Sequence, residues 1–125
     1  MRGRKILAAG IVFCMCMRSL CACESQQLSG EDKIRVGVAY YNQSDTFLNE
    51  LIACFKEELQ SFESDDLEVT VTVRDAAGSQ RTQDDQVKEM LDAGCNVLCV
   101  NLVDRADPSE IIDLARERDI PIIFF

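Results

Sequence analysis

The sequence predicts an α/β domain built on a parallel sheet with helices on both faces. Three observations carry this prediction. From Lys33 onward the hydrophobic periodicity switches regularly between short β-branched runs and segments of helical spacing, in the order β-α-β-α-β-α-β. Two of the runs, 95–102 and 121–125, are almost wholly apolar, as strands buried inside a parallel sheet are. No internal repeat or low-complexity tract interrupts the alternation, and strands in that order require right-handed crossovers.

Residues 34–40 form the first, β-branched strand, which runs into the polar segment Tyr41-Asn42-Gln43-Ser44-Asp45-Thr46-Phe47. Asp45 or Thr46 can cap a helix in which Phe47, Leu48, Leu51, Ile52, Phe55 and Leu59 recur at helical spacing. Ser64-Asp65-Asp66 ends it. In the second strand, 67–73, Leu67, Val69, Val71 and Val73 alternate with polar residues, which suits a half-exposed edge strand. A polar loop is expected over 74–82, followed by a helix through Gln86, Val87, Met90 and Leu91 that stops at Gly94, a natural C′ residue. Asp84 and Asp85, beside Gln83 and Gln86, read as the solvated start of that helix. After the third strand, Asp107-Pro108-Ser109-Glu110 reads as N-cap, N1 proline and capping-box glutamate, with Ile111, Ile112, Leu114 and Ala115 as the buried face. Residues 121–125 begin a fourth buried strand, and the sequence stops there. A complete domain of this kind needs a further βα unit, so residues 33–125 are expected to be a partial lobe.

The first 22 residues do not belong to that pattern. Arg2, Arg4 and Lys5 precede an apolar run, 6–17, too short to span a bilayer, and small residues lead to Cys23: a secretory signal peptide. Leu20 and Ala22 before Cys23 match a bacterial lipoprotein signal, with Arg18 as a departure, so Cys23 is the expected lipidation site and 23–32 a polar tether. Cleavage would leave nine basic residues against 22 acidic ones, a formal charge of −13. A surface that acidic excludes nucleic acid as a partner and leaves the lipid as the attachment to a membrane. Of the seven cysteines only Cys54, Cys95 and Cys99 fall in the folded part, where they read as small buried hydrophobes. With no histidine and no second cysteine pair, neither a zinc site nor a histidine-based catalytic arrangement is expected, and the chain does not read as an enzyme.

Open α/β sheets bind ligands outside the carboxyl ends of their strands, where strand order reverses. In the common order 2-1-3-4-5 that point lies between strands one and three, so Asp45 and Asn101 are expected to face each other there. Asn101 offers a donor and an acceptor, an ionised Asp45 only acceptors, and together they suit neighbouring sugar hydroxyls. The ring of Phe47 would cover the apolar C–H face of such a ligand. Each residue has a plainer reading: Asp45 as a helix cap, Asn101 as a turn residue, Phe47 as part of the core.

The first strand with its Asp45-Thr46-Phe47 exit, the segment Gln83-Asp84-Asp85-Gln86, the run Asn101-Leu102-Val103-Asp104 and the closing Pro121-Ile122-Ile123-Phe124-Phe125 resemble the type I periplasmic sugar-binding proteins. The galactose/glucose-binding branch serving a methylgalactoside ABC transporter is the nearest. The resemblance covers essentially all of 33–125 and implies two Rossmann-like lobes that close on a sugar about a hinge. It implies that Asp45 holds sugar hydroxyls, Phe47 stacks on the ring and Asn101 supplies an amide contact. Ser44 and Thr46 stand where the motif often has Asp and Asn. The opposing lobe and its calcium loop would lie beyond Phe125, leaving no cofactor in this chain. The function implied is the binding component of an ABC-type galactose or glucose importer, lipid-anchored outside the bacterial cytoplasm, with a permease or a membrane sensor as partner. The alternatives are the effector domain of a LacI-type regulator, which needs a DNA-binding segment where the leader stands, and a truncated, non-functional remnant.

Overall fold

The computed structural model describes residues 32–125; the expected signal peptide, Cys23 and the tether as far as residue 31 lie outside the described residues. Four strands, β1 (Asp32–Tyr40), β2 (Leu67–Asp75), β3 (Val97–Val100) and β4 (Ile122–Phe124), alternate with helices α1 (Thr46–Ser61), α2 (Gln80–Asp92) and α3 (Ser109–Glu117). The strands are parallel and stand in the order β2-β1-β3-β4, with β2 at one edge as its alternation predicted. β1 pairs with β2 without a break from Asp32↔Leu67 to Tyr40↔Asp75. Asp32, expected in the tether, is thus the first residue of the sheet.

The pleat divides the core in two. Val36, Val38, Tyr40 and Cys99 meet Leu48 and Ile52 of α1 on one face. Ala39, Leu98 and Val100 meet Val87, Met90 and Leu91 of α2 and Ile111 and Ala115 of α3 on the other. One helix covers the first face and two cover the second. The thinner cover leaves an apolar groove of about 170 Å³ beside α1, lined among others by Val38, Phe55, Cys99, Ile123 and Phe125. The fourth strand departs from its expected burial because it lies at the other edge of the sheet. β4 is bonded on one side only, and Ile123, Phe124 and Phe125 are 55%, 42% and 41% exposed. Among the described residues no helix is long and apolar enough to cross a membrane.

Several boundaries differ from the sequence expectation because side chains take over from backbone. β3 is shorter than the run 95–102. At its start the Asn96 amide bonds the chain of β1, accepting from Arg35 N at 2.8 Å and donating to Lys33 O at 2.6 Å. α2 starts earlier than expected, because Ser79 caps it by accepting from Thr82 N at 3.2 Å; Asp84 and Asp85 therefore lie within the helix. At α3 the N-cap position belongs to Pro108, without a side-chain cap bond, while Asp107 accepts from the amide and hydroxyl of Ser109 one step earlier. Cys95 and Cys99 are buried, which pushes their thiols up, but Cys54 is exposed on α1 and is no core residue.

Gly94 ends α2 as predicted, at φ +92°, with Cys95 N donating to Met90 O and Gly94 N to Leu91 O, both at 3.0 Å. The same motif closes α3, where Ile120 N donates to Ala115 O at 2.9 Å and Asp119 occupies the left-handed position at φ 55°. A carboxylate residue there carries a strain that glycine lacks, so Asp119→Gly is expected to stabilise the fold by about 1 kcal/mol in urea unfolding. Gly37 has the opposite demand. A Cβ on this residue of β1 would lie 3.0 Å from Met90 Sδ and 3.1 Å from Leu98 Cδ2. Gly37→Ala should cost about 1 kcal/mol and Gly37→Val about 3 kcal/mol by the same measurement; a neutral Val variant would show that α2 does not press on β1.

Candidate functional site

The carboxyl end of β1 is held from both sides. Ala39 O accepts from Asn101 N at 2.8 Å, Tyr40 O from Ala76 N at 2.9 Å and Tyr41 O from Gly78 N at 2.7 Å. The exits of β2 and β3 therefore bracket the segment that leads into α1, and Asp45, Phe47 and Asn101 gather at one edge of the sheet. That segment turns on Asn42, whose Oδ1 accepts from Ser44 N at 2.8 Å. Asp75, at the end of β2, accepts from Gln43 N and Ala77 N, each at 3.0 Å, and ties the turn to its neighbour.

Asp45 is the N-cap of α1. Its Oδ1 accepts from Leu48 N at 3.1 Å and its Oδ2 from the Tyr41 hydroxyl at 2.8 Å. The Leu48 amide, and after it the Tyr41 hydroxyl, hold the Asp45 carboxyl below the usual carboxylate range, while the same bond pushes the Tyr41 phenol up. The cap does not exhaust the carboxylate, which has about four acceptor sites. Phe47, in the first turn of α1, is 70% exposed and is not a core residue.

Asn101 is turned differently from the outward contact expected of it. The residue is buried, and its Nδ2 donates to the Phe125 carbonyl, so the side chain pins the end of β4. Its Oδ1 is buried with no hydrogen-bond partner among the described residues. Asp104 and Asp107 act as turn acceptors, for Ala106 N and Ser109 N respectively. Among the described residues no group of three or more His, Cys, Asp or Glu side chains is placed to hold a metal ion.

Sequence reasoning missed Tyr41, Asp75 and the glutamines of α2. Gln83 is fully buried and bonds Asn101 O and Val103 N. It sits four positions before Val87 on the apolar stripe of α2, and a polar residue on that stripe was the available signal.

Because the folded chain holds the Asp45 proton more weakly than the unfolded chain, the ionised carboxylate stabilises the fold above the ordinary carboxylate range. That contribution is lost as pH falls through Asp45's lowered value. Asp45→Asn, which caps without titrating, is therefore expected to be less stable than the parent near neutrality, with the gap narrowing as pH falls below the ordinary carboxylate range. A gap in urea midpoint that stays constant over this range would exclude the assignment.

A family model for the periplasmic binding protein domain matches residues 36–125. The chain is 31% identical over 91 residues to the D-galactose/methyl-galactoside binding periplasmic protein of Haemophilus influenzae, an alignment covering 73% of this chain and 26% of that one. It superposes with a TM-score of 0.62 and 26% identity on an ABC transporter solute binding protein from Bacillus halodurans with bound myo-inositol, covering 77% of this chain and 32% of that one. On the fructose binding periplasmic domain of a hybrid two component system the TM-score is 0.64 at 23% identity, covering 73% and 29%, a likeness of fold. The chain spans 26% of the length of the curated relative and 32% of the length of the inositol-bound one. With a parallel sheet ordered β2-β1-β3-β4 and a match through to Phe125, the chain belongs to the type I periplasmic sugar-binding protein family and corresponds to its N-terminal part.

Proposed function

We propose that residues 32–125 form one wall of a monosaccharide cleft in an exported receptor that delivers galactose or glucose to an ABC-type importer. The pairing of the Asp45 carboxylate with the exposed ring of Phe47, at one helix start on the carboxyl edge of the sheet, carries this reading. A sugar presents hydroxyls that need acceptors around a ring whose C–H faces are apolar. Asp45 is ionised near neutrality and keeps acceptor sites beyond its two internal bonds, and Phe47 supplies a flat apolar surface. The buried Asn101 Oδ1, without a hydrogen-bond partner among the described residues, adds a demand for one more donor. The ligands named for the relatives, D-galactose and myo-inositol, share this ring of hydroxyls.

Binding of this kind breaks no covalent bond. Its free energy comes from hydroxyls exchanging water for oriented acceptors and from covering the ring face. A second wall, which the family resemblance puts in a second lobe, would complete the cleft by closure about a hinge. The leader, a lipid on Cys23 and a permease partner complete the proposal, and they place the receptor outside the cytoplasm.

Titration of the labelled chain with D-galactose, D-glucose and myo-inositol, followed by amide NMR, tests it. Shifts are expected at residues 41–47 and at Asn101, half-saturating above about 1 mM because a single wall leaves the sugar wet. Phe47→Ala should remove them while changing stability by less than about 0.5 kcal/mol. No shift at these residues up to about 100 mM of any of the three overturns the sugar site. Micromolar affinity by calorimetry overturns the one-wall description.

A further inference from the structure

We propose that Gln80, Gln83 and Gln86, spaced three apart along α2, are positioning residues that continue the sheet's hydrogen bonding past the ends of β2 and β3 and so set the shape of the crevice. Gln83 is the centre of the set. Its Nε2 donates to Asn101 O at 2.9 Å and its Oε1 accepts from Val103 N at 3.1 Å. In a parallel pair, one residue's peptide groups meet the carbonyl of one neighbour and the amide two positions on. The primary amide of Gln83 presents that same pair to the chain just after β3, on the edge where Asn101 N still donates to Ala39 O and β1 then turns away. Asn96 does the same at the opposite end of the sheet, toward Lys33 O and Arg35 N. The flanking glutamines extend the device. Gln80 Oε1 accepts from Asp104 N at 2.7 Å, and Gln86 Nε2 donates to Asp75 O at 2.8 Å.

One helix thus holds both sides of the crevice. Through Gln86 it fixes Asp75, whose carboxylate holds the Gln43 amide at the approach to Asp45. Through Gln83 it fixes Asn101, whose amide is already bound to Ala39 O. With both backbone groups of Asn101 held, its side chain keeps the direction that brings Nδ2 to the Phe125 carbonyl. None of the three glutamines needs to touch a ligand. Their effect on sugar rests on the preceding reading of the site; their effect on the 101–104 chain does not.

Native-state amide hydrogen exchange on the full chain separates the two. Gln83→Met keeps length and volume but neither bond, and should speed exchange at Val103 by about tenfold or more while β1 amides change less than about twofold. Gln83→Glu, which keeps only the acceptor, should fall between parent and Met variant. Gln80→Ala, at a half-buried site, should act on Asp104 alone. In the hexose titration, Gln83→Met should weaken the response at Asn101 by about fivefold relative to that at Asp45, a ratio that general loss of stability would not move. Unchanged protection at Val103, or a loss spread evenly through β1, overturns the proposal. A parent chain silent to every hexose counts against the sugar reading, and the exchange result still decides the role of the glutamines.

Discussion

A strand hydrogen-bonded on both edges and covered on both faces has nowhere to shift, and β1 is in that position. β2 runs along one edge in register over its full length, and β3 takes the other from Val36 to Ala39. A slip of one residue would put the α1-facing set, Val36 and Val38, where Gly37 and Ala39 now admit α2. Met90 and Leu98 close on Gly37 too tightly for that exchange. The pairing then carries beyond the strand, since the carbonyls of Ala39, Tyr40 and Tyr41 are each claimed by a neighbouring loop. The sheet edge that carries Asp45, Phe47 and Asn101 inherits its geometry from this one constrained strand.

At that edge, the proposed binding role falls on atoms that already serve the structure. Asp45 caps α1 and accepts from Tyr41, so its carboxylate is oriented before any ligand arrives. A carboxylate held by an amide and a hydroxyl loses little freedom on meeting a further hydroxyl, which is the physical content of preorganisation. Phe47 is exposed because Asp45 begins the helix there: the first turn stands proud of the sheet, and Leu48 rather than Phe47 faces inward. The helix cap and the ligand contact are thus compatible roles for Asp45, where the sequence alone set them side by side as alternatives.

The element order, the edge position of β2, the Asp45 cap and the Gly94 stop were legible because each rests on local chemistry: alternation, capping preference, positive φ. Most of what escaped notice depends on partners distant in sequence, the start of α2 being a local exception. Asp84 and Asp85 resemble a helix start, but Ser79 wins because its hydroxyl reaches Thr82 N. Gln83 looks like a surface residue until α2 docks and the chain past β3 needs a donor and an acceptor. Asn101 was identified as a crevice residue, yet its rotamer follows from the Phe125 carbonyl, which no spacing rule reveals. Cys54 reads as core only if α1 is covered all round, and a single sheet face does not cover it.

The placement of β1 also orders events in time. The strand is made first, but the Asn96 amide that completes its inner edge lies 61 residues downstream of Arg35. Until β3 emerges, β1 has only β2 for company, and closing so long a loop is unfavourable before the contacts it permits can offset it. Both of β1's pairings are parallel, so each one has to span a crossover and none can form as a local hairpin.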